Sequence, residues 1–365
     1  MRPRMKQTGH AASVNSIMDE FKLTAEQEAE AARIEDILKA VWSKNSAALE
    51  TLWQVAFCWS KPLKCRPTVV EFAAEFVLTQ PGLQWFAKPQ IIRAGTHEFV
   101  RIPEGICEIG AVPDDWDADG DELPRHTVIV QSFVLSRFEV TAEQFMQFVN
   151  ESGYTSSSSQ DRKDFSPRTW TNPGWNDYGP RHPVVNVTQE DAQAYCRWLS
   201  KKLGQTVRLP TEPEFEFASR AGFQSRFIHG NDIHGLHRVA NLDGQHQRDT
   251  TGVDVEVVRA DKLDCWDRTA PVGSLQPNAF GLFDMCGNVS EWTDSDYHAY
   301  GKQTRARSHL CEMLDMAVFR GADWSSDSQS ARVSNRNLSS TEHRFNHVGF
   351  RIVLGEKLKP RRTAI

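Results

Sequence analysis

The 365 residues contain no apolar run of about 18 residues, so no membrane-spanning helix is expected. The basic start Met1-Arg2-Pro3-Arg4-Met5-Lys6 is not followed by an apolar stretch. Polar residues, with Asp19 and Glu20, stand there instead, so a secretory leader is not expected and the cytoplasm is the expected compartment. No C-x-x-C pair occurs. The seven cysteines (Cys58, Cys65, Cys107, Cys196, Cys265, Cys286 and Cys311) are odd in number and widely spaced. That fits reduced, buried thiols better than a disulfide framework or a zinc knuckle. Positive charge is also in short supply: the formal net charge is −6, which argues against a nucleic-acid partner. The basic run Lys357 to Arg362 reads as a solvated tail.

What is present falls into two parts. Residues 1–13 are polar and aperiodic. From residue 14 to about 90 the pattern is helical: Ile34, Ile37, Leu38 and Val41 recur at three-to-four spacing. Thr68 with Glu71 forms a capping box for a further helix, to about Leu78. Beyond Ile91 the pattern changes. Phe99-Val100-Arg101-Ile102 and Thr127-Val128-Ile129-Val130 have strand composition. Thr141 and Thr188 open two helices, the second stopping at Gly204. From about 150 to 345 long loops alternate with short strands, an arrangement that needs internal fastening because loops bury little apolar area.

Several strings stand in order along this second part. They are Phe99 to Gly105, Arg137-Phe138-Glu139-Val140-Thr141, His182-Pro183-Val184-Val185-Asn186-Val187, and Arg208-Leu209-Pro210-Thr211-Glu212-Pro213-Glu214. Gly281 to Thr293, reading GLFDMCGNVSEWT, and the closing Val348-Gly349-Phe350-Arg351 complete the series. Together they resemble the formylglycine-generating enzyme, or sulfatase-modifying factor, family over about residues 97–354. The resemblance implies an α+β, loop-rich, C-type-lectin-like domain, preceded here by the small α-helical domain of residues 14–90 and followed by a basic tail, 355–365. Read physically, Trp292 is a buried ring, Glu291 satisfies loop backbone donors, Gly349 permits a turn, and Arg208 with Glu214 forms a buried ion pair that organises loops.

The resemblance also implies two calcium sites. One would use Asn241, the Leu242 carbonyl, Asp264 and the Trp266 carbonyl; the other Asp284, the carbonyls of Gly287 and Val289, and Glu291. Calcium accepts six to eight oxygens in irregular geometry, which suits such sets. The family's oxidation of a substrate cysteine relies on copper held by two cysteines just after an Arg-Gly-Gly-Ser string. Here that string is Arg320-Gly321-Ala322-Asp323-Trp324, the two positions are Ser326 and Ala331, and no cysteine follows residue 311. Soft thiolates select Cu(I), so no copper is expected and formylglycine generation is not expected. The ergothioneine-type branch needs a three-histidine iron site drawn partly from a helical domain. Residues 14–90 contain no histidine, and His298, His343 and His347 read as isolated.

The polar run before Gly349 resembles the display segment of retroelement-diversified variable proteins. On that basis the expected function is a non-catalytic ligand- or protein-binding module, of the sensor or adaptor kind. Its recognition surface would include Asp323, Trp324, Ser326, Arg332, Asn335, Arg336, Asn337, Arg344 and Asn346, with the N-terminal helices docking a protein partner. The alternative is a metal-dependent oxidase or oxygenase of the same superfamily with a rearranged metal site.

Overall fold

The computed structural model describes residues 89–113, 115–156, 168–231, 233–243, 247–248, 254–255, 266–300 and 315–357. The helices expected within 14–90 and the tail after Lys357 lie outside the described residues. Among those described, no helix is long and apolar enough to cross a membrane.

Five strands form the first sheet in the order β1-β2-β5-β13-β6. They are β1 (Ile91–Ala94), β2 (His97–Ile102), β5 (Phe133–Ser136), β13 (Val353–Lys357) and β6 (Gln205–Arg208). Strands β3 (Gly105–Ile109) and β4 (His126–Val130) form a separate antiparallel ribbon. The short β7 (Gln247–Arg248) and β8 (Asp254–Val255) pair with one another. The remaining sheet runs β11-β10-β9-β12 through β11 (Asn337–Ser340), β10 (Met316–Arg320), β9 (Ser290–Asp296) and β12 (Val348–Gly349). Chain neighbours β12 and β13 fall in different sheets, so the closing strands tie the two together.

Two amphipathic helices supply the apolar layer between the sheets. Helix α1 (Ala142–Ser152) starts at the Thr141–Gln144 capping box and stops at Gly153, which takes φ +67°. Helix α2 (Gln189–Leu203) starts at Thr188–Asp191 and stops at Gly204, φ +64°. Phe145 and Phe148 of α1, Tyr195 and Leu199 of α2, Phe99 of β2 and Trp292 of β9, and Phe350 between β12 and β13 close one core. A third helix, α3 (Glu212–Arg220), was not read from the sequence. Its signal was present in the Thr211–Glu214 capping box, with Pro213 in the first turn. Gly349 is not a turn residue: it lies in β12, where an added Cβ would stand 2.5 Å from the Val184 carbonyl oxygen. Close backbone approach, rather than φ, demands glycine there.

Candidate functional site

Loops make up most of the second half of the domain, and buried ion pairs fasten them. Arg332 is held bidentately by Glu122 at 2.7 and 2.8 Å, and Arg336 by Glu212 at 2.6 and 2.8 Å. Arg336 also lies 3.9 Å over the Tyr300 ring and donates to the carbonyls of Asp121 and His298. Arg320 spans Glu216 and the carbonyls of Val333, Ser334 and Asn335. Arg332 and Arg336 are therefore interior struts, with every polar edge turned into the fold. Asn335 contributes backbone to the same arch, and Asn337 opens β11 opposite Phe319. Arg344 is only half-buried. The polar run of 325–347 is thus not a continuous display surface. Arg208 and Glu214 pair as expected, at 2.6 Å on both arms, but on the half-exposed flank of α3 rather than fully buried.

The turn after β10 is built differently. Asp323 is buried, yet among the described residues its carboxylate has no cationic partner. Oδ1 accepts from the Ser325 backbone N–H (2.9 Å) and hydroxyl (2.6 Å), and Oδ2 from the Ser290 hydroxyl (3.2 Å). Ser326 closes the turn by accepting from the Asp323 N–H at 3.1 Å. The turn is welded to the GLFDMCGNVSEWT string: the Trp324 N–H donates to the Asn288 carbonyl, and the Gly287 N–H to the Gly321 carbonyl. Trp324 Nε1 donates to the Asn346 carbonyl at 3.3 Å. So the structure brings Asp323, Trp324, Ser326 and Asn346 together and sets Arg332, Arg336 and Asn337 apart.

Copper does not fit this turn. Ser326 and Ala331 stand where the resemblance puts the thiols. Cys286 is buried, its Sγ donates to the Ala331 carbonyl at 3.2 Å, and burial pushes its thiol up to about 12. A thiol held protonated in this way is a poor ligand.

The expected calcium residues divide unevenly. Asp264 lies outside the described residues. In its set, Asn241 Nδ2 donates to the Arg268 carbonyl at 2.7 Å, and Leu242 is buried with Trp266 partly so. The second set forms an acidic cluster. Glu291 does not serve loop backbone donors; both its oxygens hold Arg351, at 2.7 Å each. Asp284 Oδ2 accepts from the Gly273 N–H at 2.7 Å. Glu139, absent from the expected set although its string was recognised, joins them. Its Oε1 accepts from Asn288 Nδ2 at 3.0 Å, while Oε2 is buried without a hydrogen-bond partner. Burial, and then the charges of Asp284 and Glu291, hold the Glu139 carboxyl well above the usual range. Burial raises Asp284 and Glu291 also, against the pull of Arg351. Three fully buried carboxyls facing one guanidinium leave negative charge uncompensated, and the orphaned Glu139 oxygen suits a cation. Among the described residues no three His, Cys, Asp or Glu side chains form a ready metal cage. Two of the histidines have other partners: His343 bonds Ser339 Oγ at 2.8 Å, and His347 stacks on Phe345.

Comparison with known proteins places these features. The sulfatase-modifying factor enzyme 1-like domain matches residues 87–355. A formylglycine-generating enzyme of Thermomonospora curvata is 30% identical over 305 residues, covering 72% of this chain and 94% of its own. An inactive C-alpha-formylglycine-generating enzyme 2 of Bos taurus is 29% identical over 304 residues, covering 73% and 90%. Among solved structures, PvdO of Pseudomonas aeruginosa is 28% identical with a TM-score of 0.58, covering 73% of this chain and 99% of its own. These relatives overturn the expectation of a non-catalytic binding module. The likeness runs through nearly the whole of proteins named as enzymes, while the inactive relative shows that the scaffold alone does not guarantee activity.

Proposed function

Since the chain belongs to the sulfatase-modifying factor enzyme 1-like family, we propose that it is an oxidase or oxygenase whose reacting centre is the Asp323–Trp324 turn and does not use a thiolate pair. The observation that carries this reading is the buried Asp323 carboxylate. Three other buried carboxylates of the loop region, Glu122, Glu212 and Glu216, are neutralised by arginine. Asp323 is oriented by hydroxyls and one N–H, in a turn pinned to the family's most characteristic string. An uncompensated, pre-oriented carboxylate costs stability and is suited to accept a proton from, or bind, a substrate group. The rearrangement is one of donor chemistry: the hydroxyl of the family's Arg-Gly-Gly-Ser string has become a carboxylate, and soft sulfur donors have given way to Ser326 and Ala331.

A structural calcium ion is part of the proposal. Asp284, Glu139 and the carbonyls of Gly287 and Val289 would hold it beside the Glu291–Arg351 pair, where it would neutralise the remaining charge. It would tie the 284–291 loop to the segment between β5 and α1 and take no part in the reaction.

Two measurements test the reading together: elemental analysis for copper, iron and calcium, and dioxygen uptake with thiol- and phenol-bearing substrates. Uptake without stoichiometric copper, lost in Asp323→Asn and not restored by added copper, is expected. Stoichiometric copper, or uptake unchanged in Asp323→Asn, would overturn it.

A further inference from the structure

Beside the Asp323 turn lies a second group of side chains that the proposed reaction leaves unused. The Trp324 ring carries the Arg268 guanidinium on its face, with Cζ 4.3 Å from the ring centroid. The Trp175 ring meets Trp324 edge-on, the centroids 5.8 Å apart at 68°. Tyr178 supports Trp175 from its other side at 6.0 Å. Trp324 spends its own indole N–H on the Asn346 carbonyl. Two donors in this group remain unspent. Trp175 Nε1 is buried and has no hydrogen-bond acceptor among the described residues. Arg268 is exposed and, among the described residues, forms no ion pair; its recorded side-chain contact is the Trp324 face.

These two donors have a shared chemistry. An indole N–H can only donate, so its missing partner is an acceptor. A guanidinium lying over an aromatic face engages the ring through its charge and leaves N–H groups for the fork that matches an oxyanion. The Arg268 backbone is fixed as well, because its carbonyl accepts from Asn241 Nδ2 at 2.7 Å. The side chain's contact with the Trp324 face sets where its fork lies. Asp267 is next to Arg268 in the chain and Asp177 is two residues after Trp175, and carboxylates so close in sequence disfavour a dianion more than a singly charged group. A planar, singly charged group between aromatic walls suits the place better.

We infer that Trp175, Trp324 and Arg268 form a subsite for a carboxylate group of the substrate, next to the reacting turn. This rests on the reading of Asp323 as the reacting centre. In it, Arg268 supplies the charge-assisted fork, Trp175 the second donor, and Trp324 the rigid platform between the subsite and Asp323. The substrate class that follows is a carboxylic acid, or a peptide presenting a carboxylate, whose oxidisable group reaches the Asp323 side of Trp324.

Nuclear magnetic resonance of the indole N–H groups in the full chain tests this. The Trp175 signal is assigned by its loss in Trp175→Phe, which keeps an aromatic side chain but has no N–H. Sodium formate and sodium benzoate are titrated at constant ionic strength, with chloride and inorganic phosphate in parallel. A saturable downfield shift of the Trp175 signal with both carboxylates is expected, with apparent affinity at least ten-fold weaker in Arg268→Ala and partly recovered in Arg268→Lys. Absence of saturation with the carboxylates, or equal affinity in Arg268→Ala with its other indole signals unmoved, overturns the subsite. Saturation by phosphate as tight as by formate overturns its carboxylate character. Dioxygen uptake is scored separately: carboxylate binding without uptake sinks the oxidase reading alone, and uptake without binding sinks the subsite alone.

Discussion

At the scale of single residues, what distinguishes this domain is how much charge and imidazole it has taken inside. His97 is buried, and its Nε2 lies 2.8 Å from the Tyr195 hydroxyl. Burial lowers its pKa from 6.5 to about 4. The unfolded chain therefore takes up a proton first as pH falls through 6.5, and the folded chain only near 4. Stability from keeping His97 neutral is whole above pH 6.5 and drains away between those values, by about 3 kcal/mol in all. Thermal unfolding followed from pH 7.5 to 4 should show this loss in the natural protein and a shallower one in His97→Gln. An identical slope in both would mean that another group controls acid unfolding. Arg351 makes the complementary case. Replacing it with Met leaves Glu291 buried without its partner beside Asp284 and Glu139, and should cost about 3–5 kcal/mol in urea unfolding. The surface pair Arg93–Glu98 offers the contrast: with the Arg93 side chain 74% exposed, its removal should be close to neutral.

At the scale of elements, what was legible in the sequence was local chemistry that repeats with a period or a cap. The helices after Thr141 and Thr188 and the strands around Phe99 and Val128 could be read because period and capping box agree there. Helix α3 escaped because it is short and charged, so its apolar face is thin; only Thr211 and Glu214 announced it. The loops carried almost no such signal, since their order comes from contacts between residues far apart in the chain, such as Arg332 with Glu122. Gly287 illustrates the point. It takes φ +77°, and an added Cβ would stand 2.7 Å from both the backbone N and O of Asn241. Gly287→Ala should destabilise the domain by about 2 kcal/mol or more, as strain and overlap act together. Gly153→Ala has a similar φ but no neighbour within 4 Å, and should cost only about 1 kcal/mol. Equal losses in paired denaturant titrations would show that the φ strain, not the crossing of the two loops, sets the requirement for glycine.

At the scale of the molecule, the family scaffold was readable from its strings, and the loss of the thiol pair followed from two positions. What the reacting turn contains was not readable in the same way. Neighbouring polar residues look alike in a sequence, and only the fold separates Asp323, left without a cation, from Arg332 and Arg336, locked to glutamates. The same holds for Glu139, which lies 145 residues before Asp284 in the chain yet faces it in the core. That convergence sets up a whole-domain prediction. If the excess charge of Glu139, Asp284 and Glu291 is neutralised by calcium, the ion binds the folded state and not the unfolded one. At a hundred times its dissociation constant it then adds about 2.7 kcal/mol. For a domain of this size that corresponds to roughly 5–10 °C in Tm. Chelator-treated protein should gain this shift on adding calcium and much less on adding magnesium, which demands a tighter, octahedral oxygen set. Asp284→Asn should lose the response without a lower starting Tm, because the substitution also removes one of the opposing charges. If calcium leaves Tm unmoved up to millimolar concentration, a proton held on Glu139 balances the cluster instead. In that case stability should fall as pH rises, because raising pH strips from the folded state the proton that its elevated pKa retains.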